Sequence, residues 1–467
     1  MGFSFLLSFI FAFVQVIVGA EYPAPPATFP AKSWTVWGEE NIKGSRRAEI
    51  DVQFTAADGS ADFIKMIRLD LVGTPAERGF AHGALLANEI KKFVNHDIDK
   101  VIIQEVMAMS FDKVKTLPVE IQEVLAEMKK VGSAFAPKLF KKAMYWVWQK
   151  QLSHTPQYIK DEIDGVAQGV CSTIGDSCDV AETTIELQSM NMFPELIKMA
   201  CTAVGAWGKA TTNPDTLIQL RALDFGSGPW ASNHIIQVHR GDPANPDHAF
   251  VNVAFPGMVG TITGVAQNGV GISQKVWMTN YQSIPGTYAG EADVFVLRDM
   301  LSYAKTKEEA EAMAQKATRT WAIWIGLGDF SSKRLNLLGY QQNSAGVFDD
   351  KTIESMNGQP YMESIAYVDK HPQPSWEGVN GTLPTALADF YGKIDQHTMK
   401  QIVQFHQTGD VHWASYDFGA NAMQLAIGRT NSDGYYGPEE GATDSHVWMA
   451  FNRPSVTFDL SDLWEGK

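Results

Sequence analysis

Apolar and polar positions give this chain two textures that meet near residue 200. Ile64 to Leu71 alternates with the period of two expected of a half-buried strand. Gly73-Thr74-Pro75 then turns the chain into a predicted helix from Glu77 to about Asn95, with Ala81, Leu85 and Ile90 along one side. From about residue 97 to 190 the spacing is largely helical, as in the segments 119–125 and 158–169. Beyond Cys201, short runs at 217–220, 235–238, 250–253, 262–265 and 271–273 predict strands. A helical stretch follows, opened by Thr306-x-x-Glu309 as a capping box. Two more strands are expected around His412-Trp413-Ala414 and residues 423–426. Residues 21–62, rich in proline, alanine and small polar residues, read as a loose N-terminal arm. The chain carries no internal repeat and no low-complexity tract.

With 467 residues, 45% hydrophobic and 19% charged, the chain can bury a substantial core. Its formal net charge of −15 argues against nucleic acid and against anionic membrane surfaces as partners. The first residues run apolar through Val18 and end in Val18-Gly19-Ala20 before Glu21-Tyr22-Pro23. That pattern predicts a secretory signal cut after Ala20, although the positive n-region is missing. The alternative, an N-terminal anchor, needs roughly 20 apolar residues, more than this run supplies. No later stretch is apolar for long enough, so no integral membrane span is expected and a soluble protein of the secretory or lysosomal lumen is. In that oxidising compartment Cys171 and Cys178, spaced C-x6-C, are expected to form a local disulfide. Asn380-Gly381-Thr382 is a glycosylation sequon.

Cys201 is then the odd thiol. It reads either as a small buried hydrophobe or as a nucleophile. A nucleophilic thiol needs a base, and the surroundings of Cys201 do not match the C-G-x-C-W context of papain-like enzymes. A second base is available in principle: the residue's own α-amine, with an unperturbed pKa of about 7.7–8.0. That amine is free only if the Ala200–Cys201 bond is broken. Asn213-Pro214-Asp215 is a turn signal, so 202–210 and 216–224 are expected to form a hairpin. Its open end would carry Cys201 together with Arg221 and Asp224. The plain alternative for that pair is a structural ion pair at a strand end.

Residues 199–203 (Met-Ala-Cys-Thr-Ala) through Arg221-Ala222-Leu223-Asp224-Phe225 resemble the nucleophile hairpin of the cysteine N-terminal-nucleophile (Ntn) hydrolases. That group includes acyl-coenzyme A:6-aminopenicillanic acid acyltransferase, acid ceramidase, N-acylethanolamine acid amidase and choloylglycine hydrolase. The stretch from Gly73 to Gly83 is similar to the G-x-P-x-x-R-G-x-x-x-G segment of the acyltransferase branch, and 164–169 to its G-I-A-x-G helix. Residues 265–272, around Asn268, resemble the family's N-x-x-G strand, and 409–414 a late strand. The resemblance spans roughly residues 70–420. It implies Cys201 as nucleophile, Arg221 and Asp224 as the assisting pair, and Asn268 as a substrate-side or oxyanion donor; Asn-Gly is also a strong hairpin-turn signal. The family's later asparagine motif has no counterpart in Tyr367-Val368-Asp369-Lys370-His371-Pro372.

The expectation is therefore an α+β protein with the four-layer αββα sandwich of that family. Residues 1–20 would be the signal peptide, 21–200 a mainly helical pro-segment, and 201–467 the catalytic core. Cleavage between Ala200 and Cys201 would leave two associated fragments that hydrolyse or transfer at linear carbon–nitrogen bonds of N-acylated small molecules or lipid amides. No metal or organic cofactor is implied. The rival readings are a phospholipase B-like ester hydrolase with the same nucleophile and a non-catalytic luminal binding protein. His82 reads first as a packing residue of the pro-segment and otherwise as a site-lining one; His234 and His239 flank a strand pattern without metal-ligand spacing, and no H-E-x-x-H occurs. The aromatic runs 145–148 and 321–324 read first as core packing and otherwise as walls of an apolar pocket.

Overall fold

The computed structural model describes residues 22–55, 59, 61–102, 119–131, 135–196, 200–225, 229–240, 248–277, 288–353, 360–370, 382–430 and 447–467. The expected signal peptide, Met199 and Asn380 lie outside these residues. Four strands come first: β1 (Thr28–Pro30), β2 (Thr35–Ile42), β3 (Ser45–Thr55) and β4 (Ala61–Leu71). Helices occupy the described residues from Pro75 to Leu196. The hairpin β5 (Ala200–Trp207) and β6 (Leu217–Asp224) follows, then β7 (Ile235–His239), β8 (Phe250–Ala254), β9 (Thr263–Ala266) and β10 (Val270–Val276). After helices Asp293–Tyr303 and Lys307–Lys316 come β11 (Ile323–Asp329), β12 (Leu335–Gln341), β13 (Ser344–Phe348) and β14 (Ile365–Val368). Helices Thr382–Asp389 and Gln396–His406 precede β15 (His412–Asp417), β16 (Ala422–Ile427), β17 (Arg429–Thr430), β18 (Val447–Trp448) and β19 (Ser455–Asp459).

The result is a mixed α+β architecture with two large sheets. The smaller runs β1-β19-β16-β15-β6-β5-β14; the larger runs β13-β12-β11-β10-β9-β8-β7-β4-β3-β2. Ala203, Trp207 and Leu217 of the smaller sheet share one buried cluster with Ile236, Val251 and Trp324 of the larger. On its other face, Val204, Ala206, Leu220 and Ala222 pack with Leu387, Met399 and Val403 of the helices around 382–406. Period-two alternation makes this division automatic, because residues i and i+2 of one strand share a face.

The loose arm expected at 21–62 is corrected by the structure. β2 and β3 form an antiparallel pair at the edge of the larger sheet, joined at Lys43-Gly44, both with positive φ. Ala48, Ile50 and Val52 alternate inward along β3, a strand signal diluted by Arg47, Glu49 and Asp51 on its other face. β4 then pairs with β7 in parallel, so residues before 200 are built into the sheet that carries later strands.

The predicted helix from Glu77 begins at Pro75 behind a Thr74–Glu77 capping box and ends at Leu85, earlier than expected. Its glycines explain two of the motifs noted in the sequence. A Cβ on Gly79 would lie 2.0 Å from the carbonyl oxygen of Glu162, and one on Gly83 would lie 2.0 Å from that of Val166. Reciprocally, a Cβ on Gly169 would lie 2.1 Å from the Phe80 oxygen. Helices Pro75–Leu85 and Gln157–Ile174 therefore meet backbone to backbone, which only glycine permits. These motifs are packing devices. The second helix is stapled at its end by the Cys171–Cys178 disulfide.

Candidate active site

The β5–β6 hairpin sets Ala200 opposite Asp224, Cys201 opposite Leu223 and Ala203 opposite Arg221. Alternation then sends Cys201, Arg221 and Leu223 toward the larger sheet, and Thr202 and Asp224 toward the opposite face. The thiol is wholly buried, and its Sγ accepts a hydrogen bond from Arg221 Nη2 at 3.5 Å. Burial pushes the Cys201 thiol up; the Arg221 and Lys275 charges pull it the other way without winning.

Arg221 is itself fully buried, and among the described residues its hydrogen-bond partners are His412 and Cys201, neither of them a carboxylate. Its Nη1 lies 3.2 Å from His412 Nε2, which also accepts from the Thr263 hydroxyl at 3.1 Å. Guanidinium can only donate, so His412 Nε2 is an acceptor and Nδ1 holds the proton. That proton points at His234 Nε2, 2.8 Å away, and His234 Nδ1 in turn donates to the Ala231 carbonyl at 3.0 Å. The tautomers of both rings follow from the two ends of the chain, a cation and a carbonyl. Burial, reinforced by Arg221, keeps both imidazoles neutral, with His234 pulled down to about 3. Arg221 Nε has no hydrogen-bond partner among the described residues.

Asp224 sits on the other face, one residue pair beyond the thiol. Its Oδ2 accepts from the Thr408 hydroxyl at 2.6 Å and its Oδ1 from the Gly409 amide at 2.8 Å. The Lys370 ammonium is 3.9 Å away, and the Thr408 and Thr202 hydroxyls are 2.8 Å apart. Asp224 is thus held in place beside the Ala200–Cys201 peptide bond, facing Ala200 across the ladder.

Asn268 is not brought to this cluster. It is exposed, with φ of 52°, in the turn between β9 and β10. Three residues on, Gly271 packs on Gln219, which pairs with Gly205. Four residues of β5, roughly 13 Å at 3.3 Å per residue, separate that level from Cys201, and Asn268 lies farther out still. His82 accepts from the Gly257 amide at 3.1 Å and serves helix packing. Among the described residues no group of three or more His, Cys, Asp or Glu side chains could hold a metal. Nor, among them, is any helix long and apolar enough to cross a membrane.

Beside Leu223 lies a small apolar pocket walled by Phe93, Phe193, Phe225, Trp230, Phe255 and Ile262 among others. Neither aromatic run singled out in the sequence lines it. Trp148 packs edge-on against Phe295; Trp324 packs at a tilt on Trp277 and edge-on against Phe348. Sequence reading also missed the roles of His412, His234, Thr408 and Lys275. Lys275 lies on β10, 4% exposed, close enough to Cys201, Asp369 and Asp224 for their charges to shift its ionisation.

Just upstream of the hairpin, Glu195 is wholly buried. It accepts from the Asp293 amide at 2.7 Å, from Gln151 at 3.1 Å and from Thr320 at 3.1 Å. Tyr288 donates to its backbone carbonyl, and Gln274 faces Asp293 at 3.4 Å. Burial, then the neighbouring Asp293 carboxyl, raises Glu195 well above the carboxylate range; burial raises Asp293 too. A carboxyl with a raised folded pKa contributes stability that is complete below the unfolded value, near 4.3 for Glu. That contribution is lost as pH rises through the folded value. Stability is therefore expected to fall from acid toward neutral and higher pH, with Glu195→Gln flattening the slope in urea titrations run at several pH values. An unchanged slope in Glu195→Gln would assign the dependence to other groups.

Fold and site together define an α+β protein of two large sheets with a buried, arginine-capped cysteine at the open end of a hairpin. The chain belongs to the dcd1 family: it is 30% identical over 414 residues to protein dcd1A of Dictyostelium discoideum, covering 85% of both chains. Protein dcd1B of the same organism is 30% identical over 403 residues, covering 85% of this chain and 74% of its own. No family model matches the chain. Among solved structures, a Caenorhabditis elegans N-acylethanolamine-hydrolyzing acid amidase ortholog aligns at 14% identity and a TM-score of 0.35, covering 47% of this chain and 93% of its own. A conjugated bile acid hydrolase from Clostridium perfringens aligns at 9% and 0.31, covering 54% and 98%. Likenesses this distant carry no argument about the site.

Proposed function

We propose that this protein is an N-terminal-cysteine amidohydrolase or acyltransferase of the secretory or lysosomal lumen, made as a precursor and cut before Cys201. The observation that carries the reading is the hairpin geometry: Arg221 Nη2 lies 3.5 Å from Cys201 Sγ while Asp224 faces Ala200 across the ladder. A guanidinium on the sulfur favours thiolate. An anchored carboxylate beside the 200–201 bond is placed to hold the ammonium that cleavage would create. The packing of helices on the outer face of the smaller sheet, with the two sheets sharing a core, supports the four-layer αββα reading.

In maturation the thiol adds to the Ala200 carbonyl, the C–N bond breaks, and the freed amine of Cys201 takes up the thiol proton. Water then hydrolyses the thioester, restoring the thiol and leaving the Ala200 carboxylate. In turnover the amine accepts the thiol proton, the thiolate adds to a substrate carbonyl, and collapse expels the leaving amine with that proton. Water, or a second amine in the transferase mode, releases the acyl group. The wholly apolar walls of the pocket beside Leu223 favour an aliphatic or aromatic acyl group, hence N-acylated small molecules or lipid amides as substrates. No cofactor enters this chemistry. Residues 21–200 and 201–467 should stay together after cleavage, since β4 pairs with β7 and Arg298 is bonded to Glu162 across the two parts.

Mass measurement under denaturing conditions and N-terminal sequencing of the purified protein test this. Two fragments beginning at Glu21 and Cys201 are expected, co-eluting under native conditions. An intact chain, after acid incubation as well, would overturn the reading and leave a binding protein. Paired amide and ester substrates sharing one acyl group distinguish an amidase from a phospholipase B-like esterase.

A further inference from the structure

We propose that the Lys275 side chain is the donor that holds the oxyanion formed when Cys201 adds to a substrate carbonyl. This rests on the amidohydrolase reading above and supplies what that reading lacks, since Asn268 stands at an exposed turn. Lys275 pairs with Trp324, a member of the cluster between the sheets, while its neighbour Gln274 turns the other way toward Asp293. Two residues back, Ser273 donates to the Leu220 carbonyl of β6. Residues 273 and 275 therefore project into the space that Cys201 and Arg221 also enter.

The ammonium is buried, and among the described residues its one hydrogen bond goes to the Val276 carbonyl at 3.0 Å. An ammonium carries three donors, so two remain for an incoming anion. Arg221 also keeps unused N–H groups, but its Nη2 is directed at the Cys201 sulfur and its Nη1 at His412, which suits it to the thiolate rather than to the carbonyl oxygen. Burial pulls Lys275 down to about 8, with Cys201, Asp369 and Asp224 acting against it, so the charged form persists at neutral and acid pH. A cation buried without a hydrogen-bonded carboxylate is costly to keep; an oxyanion developing beside it recovers that cost only during the reaction. As the S–C bond forms, the carbonyl π pair moves onto oxygen and meets the ammonium. As the C–N bond breaks, the pair returns and the amine leaves with the proton held by the Cys201 α-amine.

The test compares wild type, Lys275→Met and Lys275→Arg in the matured protein. Lys275→Met is expected to lower kcat by about 100- to 1,000-fold with KM within a few-fold, and Lys275→Arg to recover part of it. A long-chain aliphatic aldehyde, which adds Cys201 to give a tetrahedral adduct, should bind Lys275→Met more weakly by a comparable factor. The corresponding primary alcohol should bind both equally. If Lys275→Met blocks maturation, rescue of cleavage by Lys275→Arg supports the role, and failure of Arg to rescue overturns it. Unchanged kcat and aldehyde affinity in Lys275→Met, with an active wild type, also overturn it. A wild type that is neither cut nor active sinks the amidohydrolase reading instead.

Discussion

Cys201→Ala is expected to leave the chain uncut at 200–201 and to lower turnover by roughly 10⁶-fold, the scale seen when a covalent nucleophile is removed. The argument is that one sulfur does two jobs. It must attack the Ala200 carbonyl to liberate its own amine, and then attack substrate with that amine as base. In the uncut chain the thiol is buried and its pKa raised; the Arg221 and Lys275 charges and a hydrogen bond from the Asp224 backbone oppose that without offsetting it. Cys201→Ser keeps an attacking atom but a far weaker one, so slow cleavage with little turnover is the expected outcome. Mass spectrometry of each variant, followed by amidase assays, reads both steps. A fully cut Cys201→Ala protein would show that the bond is severed by another agent and that the thiol is a packing residue.

Arg298→Met is expected to destabilise the protein by about 3–5 kcal/mol, because it strands a buried carboxylate. Arg298 is wholly inaccessible; Nη2 bonds Glu162 Oε2 at 3.1 Å and His239 Nδ1 at 3.2 Å, and Nη1 bonds the Val259 carbonyl at 2.7 Å. Arg78, 3.8 Å from Glu162, compensates in part. Glu162 lies before position 201 and Arg298 after it, so the same change should make the two proposed fragments easier to separate. The loss should appear as a fall in melting temperature of roughly 3–5 °C. The double variant Glu162→Gln/Arg298→Met should recover part of it, since the carboxylate is no longer stranded while Arg78 loses its partner. A single variant as stable as wild type would mean that Glu162 takes up a proton or is satisfied by Arg78 alone.

The neutral His412–His234 chain gives Arg221 a fixed position without a competing carboxylate. A carboxylate on the guanidinium would compete with the sulfur for its positive charge. Neutral imidazoles orient it and leave the charge directed at Cys201, which is the arrangement a thiolate nucleophile needs.

Local sequence determined the hairpin. Asn213-Pro214-Asp215 turns the chain, the runs on either side are strand-forming, and a turn between two such runs fixes which residues face each other. Cys201, Arg221 and Asp224 were therefore legible as a group, as was the Cys171–Cys178 bridge, whose partners lie close in sequence. The glycine spacings at 79/83 and 165/169 were visible, but their meaning was not, since a helix contact needs both partners in place. Strands β2 and β3 were hidden because the charged residues within them leave little apolar contrast. What only the tertiary structure decided is the environment of the thiol. His234, Lys275, Thr408 and His412 come from strands and loops up to 211 residues away from Cys201, and no local pattern marks them. Propensity and turn chemistry act over a few residues; burial, which sets the ionisation of these groups, exists only once the sheets have closed on each other.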